Sequence, residues 1–279
     1  MLEQLYKASW VESKARFAFL LGFSYSVIGI TSALMLFPQD PGLASVAFTA
    51  LLLLPSLNKM LSIEEEQVAE EYEFSLLTPF RDHADIFRVY FFLFLGIMLS
   101  YALFALLMPS LAASRIFEQQ IKAVGLVGQA VAIQSGIALT SILLNNLTVL
   151  AFSILASLVY GSGAIFILTW MASVWGTIIA LVAKNSAAVA HQNPIVYFIV
   201  TVVLMLPHTI LEAATYFTAV IAGGVLSKAA VREKAFSERF NKIALDAAII
   251  FAFAFVLLVI SALVEVYVTK TAVNLFRTR

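Results

Sequence analysis

The sequence predicts an all-α, polytopic membrane protein: a bundle of about seven transmembrane helices forming a single membrane domain over residues 1–279. The composition points there first. Of 279 residues, 62% are hydrophobic and 12% charged, and the mean hydropathy is +0.96. Soluble domains run near half apolar and a quarter charged. The apolar residues are also gathered into long runs. Several reach the roughly 20 residues that a helix needs to cross a hydrocarbon core of about 30 Å. Such runs are unlike the short alternating strands of a membrane barrel.

The charge balance limits the partners. Lys+Arg and Asp+Glu are both 17, so nothing in the net charge calls for nucleic acid or another polyanion. The lipid bilayer is the partner the composition demands. There are no cysteines, which excludes disulfides, thiolate catalysis and Cys-ligated metal sites.

Residues 1–16 read as a short amphipathic helix, with Leu2, Leu5, Tyr6 and Trp10 on one face. It suits either a place in the membrane interface or an extension of the first span. Lys7, Lys14 and Arg16 precede the apolar run Phe17–Phe37, which is too long for a signal-peptide core and is followed by no cleavage site. It is expected to be a retained first span. Gly22, Ser26, Gly29 and Ala33 form a small-residue stripe along it, suited to close helix contact. Pro38–Gly42 is a tight turn, and the second span covers about 43–61.

Residues 62–88 form an acidic polar arm, with Ser62 and Glu65 spaced as a helix-starting capping box and Thr78-Pro79 as a further helix start. A third span covers about 89–111, and 112–136 is an amphipathic surface segment with Arg115, Glu118 and Lys122 outward. The fourth and fifth spans, about 137–160 and 164–183, are joined by Gly161-Ser162-Gly163 as a tight hairpin. A loop from Lys184 to Asn193, a long apolar run at 195–226, a basic arm at 227–243 and a last span at about 244–268 complete the chain.

The 195–226 run would reach about 48 Å as one helix, well beyond a straight crossing. Pro207 lacks an N–H and clashes with the preceding turn, so a broken helix is expected there. If the run crosses once, there are seven spans. With the N-terminus inside, eleven Lys/Arg then face the cytoplasm and six the other side. A re-entrant hairpin, the alternative, leaves six spans and a nine-to-eight split. The single crossing fits better. A multi-pass cell-membrane protein with a cytoplasmic N-terminus is therefore expected.

Polar residues at membrane depth fall into three groups. His208, Glu212 and Thr215 share one helix face at i, i+4, i+7. Asn145 aligns with Ser141 and Thr148, and Asn146 with Ser153 and Ser157. Ser162, Thr169, Ser173 and Thr177 line one side of the fifth span. Ser/Thr stripes commonly act as helix–helix glue. Ionisable groups at this depth are expensive and usually mark a pathway or site. His208 and Glu212, one turn apart, are expected to pair. Asn145 or Asn146 should pack on their face to give a buried cluster of Asn145, Asn146, His208 and Glu212 beside Pro207.

Catalytic signatures are missing. There is no His-Glu-x-x-His, one His and one Glu fall short of the three ligands of a catalytic zinc, and no Gly-x-Ser-x-Gly elbow or P-loop occurs. The Glu70-Glu71 pair is followed by Ser75 where a CAAX-type protease pattern has Arg. No catalytic residue, cofactor or metal is expected.

The stretches "ILLNNLTVLAFSILASLVYGSGAIFIL" and "LPHTILEAATYFTAVIAGGVL" together resemble the stage II sporulation protein M family of prokaryotic membrane proteins. Its marks are an Asn-Asn pair opening one span, a Gly-rich hairpin turn and a later Pro-His-Gly…Glu segment. Asn145, Asn146, Pro207, His208 and Glu212 match them. Thr209 stands where the family favours Gly, and Ser173–Gly176 lacks the usual Asn-Gly. The resemblance covers roughly residues 137–226. It implies a non-enzymatic membrane subunit distantly similar in fold to type-2 ABC permease domains. In spore formers, members work with peptidoglycan-degrading partners during engulfment. The expected function is a scaffold or subunit of a cell-envelope complex. The alternative is a transporter or permease half, served by an ATPase subunit, with the cluster lining its path. Partner proteins are expected, and a homo-oligomer is compatible with either reading.

Overall fold

The computed structural model describes residues 15–70, 84–126, 138–161, 165–234 and 236–269. Among these there are helices and no strand. In chain order the helices are α1 (Ala15–Leu36), α2 (Pro41–Glu70), α3 (Ala84–Leu107), α4 (Ser110–Ile116), α5 (Glu118–Leu126), α6 (Ala138–Tyr160), α7 (Ile165–Ala190), α8 (Pro194–Arg232) and α9 (Glu238–Val264). A π-helical turn, Glu265–Thr269, follows α9. Seven helices, α1, α2, α3, α6, α7, α8 and α9, are long and apolar enough to cross a membrane. The expected amphipathic segment at the N-terminus and the Thr78-Pro79 helix start lie outside the described residues.

Small residues set the helix crossings, as the stripe on α1 predicts. A Cβ on Gly22 would run into the Leu93 carbonyl of α3, and one on Gly96 of α3 would run into the Phe19 carbonyl of α1. Further along α1, Gly29 lies against Ser45 and Thr49 of α2. Gly176 brings α7 onto the Met98 carbonyl of α3 in the same way. Without a hydrophobic force between helices in lipid, such backbone approach supplies the packing that holds them.

α8 is the central helix and packs on α2, α3, α6, α7 and α9. It starts cleanly: Asn193 caps it by accepting a hydrogen bond from the Ile195 N–H at 2.8 Å, and Pro194 occupies the first turn, where no N–H is needed. It then runs unbroken for 39 residues, with Pro207 inside. The expected break at Pro207 is therefore not made, and the re-entrant alternative goes with it. At about 1.5 Å per residue the helix is some 58 Å long and overshoots the membrane core. Its first turns are exposed and its second half is buried. A proline inside a membrane helix is tolerated when neighbouring helices hold the flanking turns. Here α7 and α9 do so on both sides.

The acidic arm also begins differently from expectation. α2 continues through Ser62 and Glu65 to Glu70, so these residues start no new helix. The segment is rich in Leu, Met, Lys and Glu, all strong helix formers, and no Gly or Pro stands between Ser56 and Glu70 to end the span. The fifth span likewise extends to Ala190, past the expected start of a loop at Lys184. Of the expected Gly161-Ser162-Gly163 turn before it, only Gly161 lies among the described residues; it adopts φ +55°, a left-handed conformation that suits glycine.

After α3, Pro109 interrupts the chain, and the amphipathic segment folds as two short helices, α4 and α5, with Phe117 at their joint. Residues 127–137 of that segment lie outside the described residues. Arg115, Glu118 and Lys122 point outward, and Lys122 holds Glu118 at 2.6 Å. Ala113, Phe117 and Gln120 are fully buried. Gln120 Nε2 donates to the Gly42 carbonyl at 3.0 Å and to Ser173 Oγ at 3.4 Å, which draws this helix pair into the bundle end between α2 and α7.

Candidate functional site

α8 carries the ionisable residues into the bundle. His208 and Glu212 are 2% and 5% exposed, one turn apart on the same face. Thr215, next along that face, is fully buried and turns its hydroxyl onto its own helix at the Leu211 carbonyl, 2.9 Å away. Glu212 was expected to pair with His208. The hydrogen bond it accepts comes instead from Tyr216, one turn onward, whose hydroxyl donates to Oε1 at 3.0 Å. His208 sets its ring edge-on against Trp175 of α7, with centroids 5.0 Å apart.

α9 closes the site from another side. Ser261 Oγ donates to the His208 carbonyl at 3.2 Å, one residue beyond the proline. One turn later comes Glu265, in the π-helical turn that packs back on α8. Its carboxylate lies within electrostatic reach of both Glu212 and the Tyr216 hydroxyl.

The two asparagines of α6 have different roles. Asn146 is 2% exposed, and Ser153 and Ser157 on its stripe are fully buried. Asn145 is half-buried and donates Nδ2 to Asn146 Oδ1 at 3.0 Å, while Thr148 on its stripe is exposed. Asn146 Nδ2, itself buried, has no hydrogen-bond partner. α6 packs chiefly on α8 and α9, so its buried face looks toward them. Two contacts fix the register of α6 on α8. Gly223 lies against Ser157, and a Cβ on Gly161 would lie 3.5 Å from Ser227 Oγ. Both pairs are 66 residues apart, and so are Asn146 and Glu212. The helices run parallel, and continuing that offset along them carries the buried Asn146 toward the level of Glu212, with no direct hydrogen bond between the two.

Tyr216, Trp175, Ser261 and Glu265 were not foreseen as members of this cluster. Tyr216 was within reach of sequence reasoning, since i+4 from a buried carboxylate is a natural donor position. Glu265 lies 53 residues beyond Glu212, and only the tertiary packing of α9 on α8 brings it near. Elsewhere, an apolar groove of about 350 Å³ opens among Leu43, Phe152, Phe166, Trp170 and Met171, with Thr148 as its polar edge.

The match to known families extends the earlier resemblance. The family described as stage II sporulation protein M matches residues 89–270, from α3 through the turn after α9. This is wider than the 137–226 stretch carried by the motifs, and it includes Glu265 as well as Asn145, Asn146, His208 and Glu212. No curated protein and no solved structure matches the chain. With well over half of its length covered, including Asn145, Asn146, His208 and Glu212, the chain belongs to the stage II sporulation protein M family.

Proposed function

We propose that the protein is a non-enzymatic subunit or scaffold of a cell-envelope membrane complex, docking a partner on the charged end of its bundle. One observation carries this reading. Lys228 of α8 hydrogen-bonds Asn58 Oδ1 of α2, so the acidic continuation of α2 and the basic α8–α9 connection emerge at the same end. Residues 62–88 hold eight acids against two bases, and 227–243 hold five bases against two acids. Arg232, Lys234 and Arg239 are exposed, and Arg239 leans on Glu233 at 3.5 Å. A solvated mixed-charge end gives orientation and association rate to a partner of complementary pattern. The Lys/Arg excess supports a cytoplasmic placement of this end.

The test is affinity purification of the full-length protein from native membranes, with the double variant Arg232→Glu/Lys234→Glu beside it. The expected result is a defined partner that is lost from the double variant and retained by Arg115→Glu at the other end. Retention by both variants would reject the docking surface. An ATPase as the partner would move the assignment to a permease half.

A further inference from the structure

We propose that Glu212 is a proton-binding carboxylate in the membrane interior, and that its loading governs how the turn after α9 seats on α8. Three observations point this way. The first is the pair of acids. Glu212 is buried on α8, and the π-helical turn that packs on α8 carries a second acid, Glu265. Like charges repel strongly where the dielectric is low, so two carboxylates that share a site favour taking up one proton between them.

The second observation is Asn146. Its Nδ2 is buried and unpartnered, toward the level of Glu212 on the facing helix. A donor in this position, out of direct reach of the carboxylate, fits one bridging water, which would be the carrier of an exchangeable proton. The third observation is the nature of the neighbours. Apart from the Glu265 acid, the polar groups placed around Glu212 are donors: the Tyr216 hydroxyl at 3.0 Å and, on the facing helix, the unpartnered Asn146 amide. A metal ion calls for converging acceptors, and among the described residues no three His, Asp or Glu side chains converge as a metal-binding set.

The remaining surroundings carry few charges. On α8 itself the titratable neighbours are His208 and Tyr216, and on the π-helical turn Glu265. α7 contributes Trp175 and α6 contributes Asn146, neither of which titrates in this range. From α3, Tyr90 meets Phe217, the residue after Tyr216, with the rings tilted at 58°. α2 meets α8 through Asn58 near the far end, and Asp246 of α9 sits toward that same end, where Ala247 and Ile250 pack on Ala222. The mechanical link is the α8–α9 contact at Ser261. With a proton on the pair, the turn stays docked one residue beyond Pro207. Without it, the two carboxylates push the turn away.

The experiment uses the full-length protein in lipid nanodiscs, titrated by infrared difference spectroscopy. Hydrogen exchange is read in the segment Ser261–Thr269, corrected for intrinsic rate. The wild type is expected to show a carboxylic-acid carbonyl band and to exchange faster in that segment as pH rises. Glu212→Gln, of the same shape, should lose the band and keep the segment protected at every pH. Asn146→Ala, with every acid in place, should displace the midpoint of both signals. An unchanged band and pH profile in Glu212→Gln would overturn the proposal. So would a band in the wild type that vanishes on adding NaCl at constant pH, which would make the ligand sodium. The charged docking end is separate, so partner binding and the proton signal fail independently.

Discussion

Lys184 is a cation within a membrane span, and the end of another helix explains it. Pro109 has no N–H, so the Ala105 carbonyl of α3 loses its intrahelical donor. Lys184 Nζ fills that gap, donating to Ala105 O at 3.3 Å and to Met108 O at 2.5 Å. A cation on the final carbonyls of a helix also complements its dipole. Lys184→Met keeps the length but orphans both carbonyls, and it should lower stability by about 1–3 kcal/mol. Thermal unfolding in nanodiscs measures this, and a variant as stable as the wild type would contradict it. From sequence, Lys184 looked like the start of a loop, because a charge after an apolar run usually ends a span. The same limit applies to the candidate site. Its local members, His208, Glu212 and the two asparagines, were legible as polar exceptions in greasy helices. Ser261 and Glu265 were not, because what makes them relevant is a contact 53 residues away in the chain.

The elements were easier to read than their ends. Long apolar runs determine where spans lie, and all seven are helices of the expected order. Errors gathered where a local rule met tertiary packing. Ser62 and Glu65 have capping-box spacing, but a cap needs a preceding break and α2 supplies none. Pro207 should break an isolated helix, yet α8 passes through it between α7 and α9. Pro207→Ala tests what the proline contributes. Alanine restores a donor toward the Val203 carbonyl and removes the ring clash, a gain of up to about 3 kcal/mol in a helix interior. We expect a higher unfolding temperature with the Ser261–His208 contact preserved. A drop in stability would mean that the proline's local geometry is needed to seat His208 against α9.

At the scale of the whole molecule, seven helices are long and apolar enough to cross, and an odd number of crossings would put Ala15 and Thr269 on opposite sides of the membrane. The contacts sort the connections into two sets. Asn58 and Lys228 meet at one end, so the α2 extension and the α8–α9 connection share it. At the other end Gln119 of α5 donates to Asp40 of the α1–α2 turn at 3.2 Å, which places the α4–α5 pair beside that turn. The side assigned to each set rests on the Lys/Arg excess, eleven against five once Lys184 is counted within α7. The chain has no cysteine, so single cysteines can be labelled without background. A membrane-impermeant maleimide applied to intact cells should reach cysteines at Asp40 and Gln119. Cysteines at Glu70 and Arg232 should react only after the membrane is opened. Reaction of Glu70 and Arg232 from opposite sides would break the bundle's pairing of α2 with α8. Reaction of both from outside would keep the fold and invert the orientation, moving the proposed docking end to the outer face.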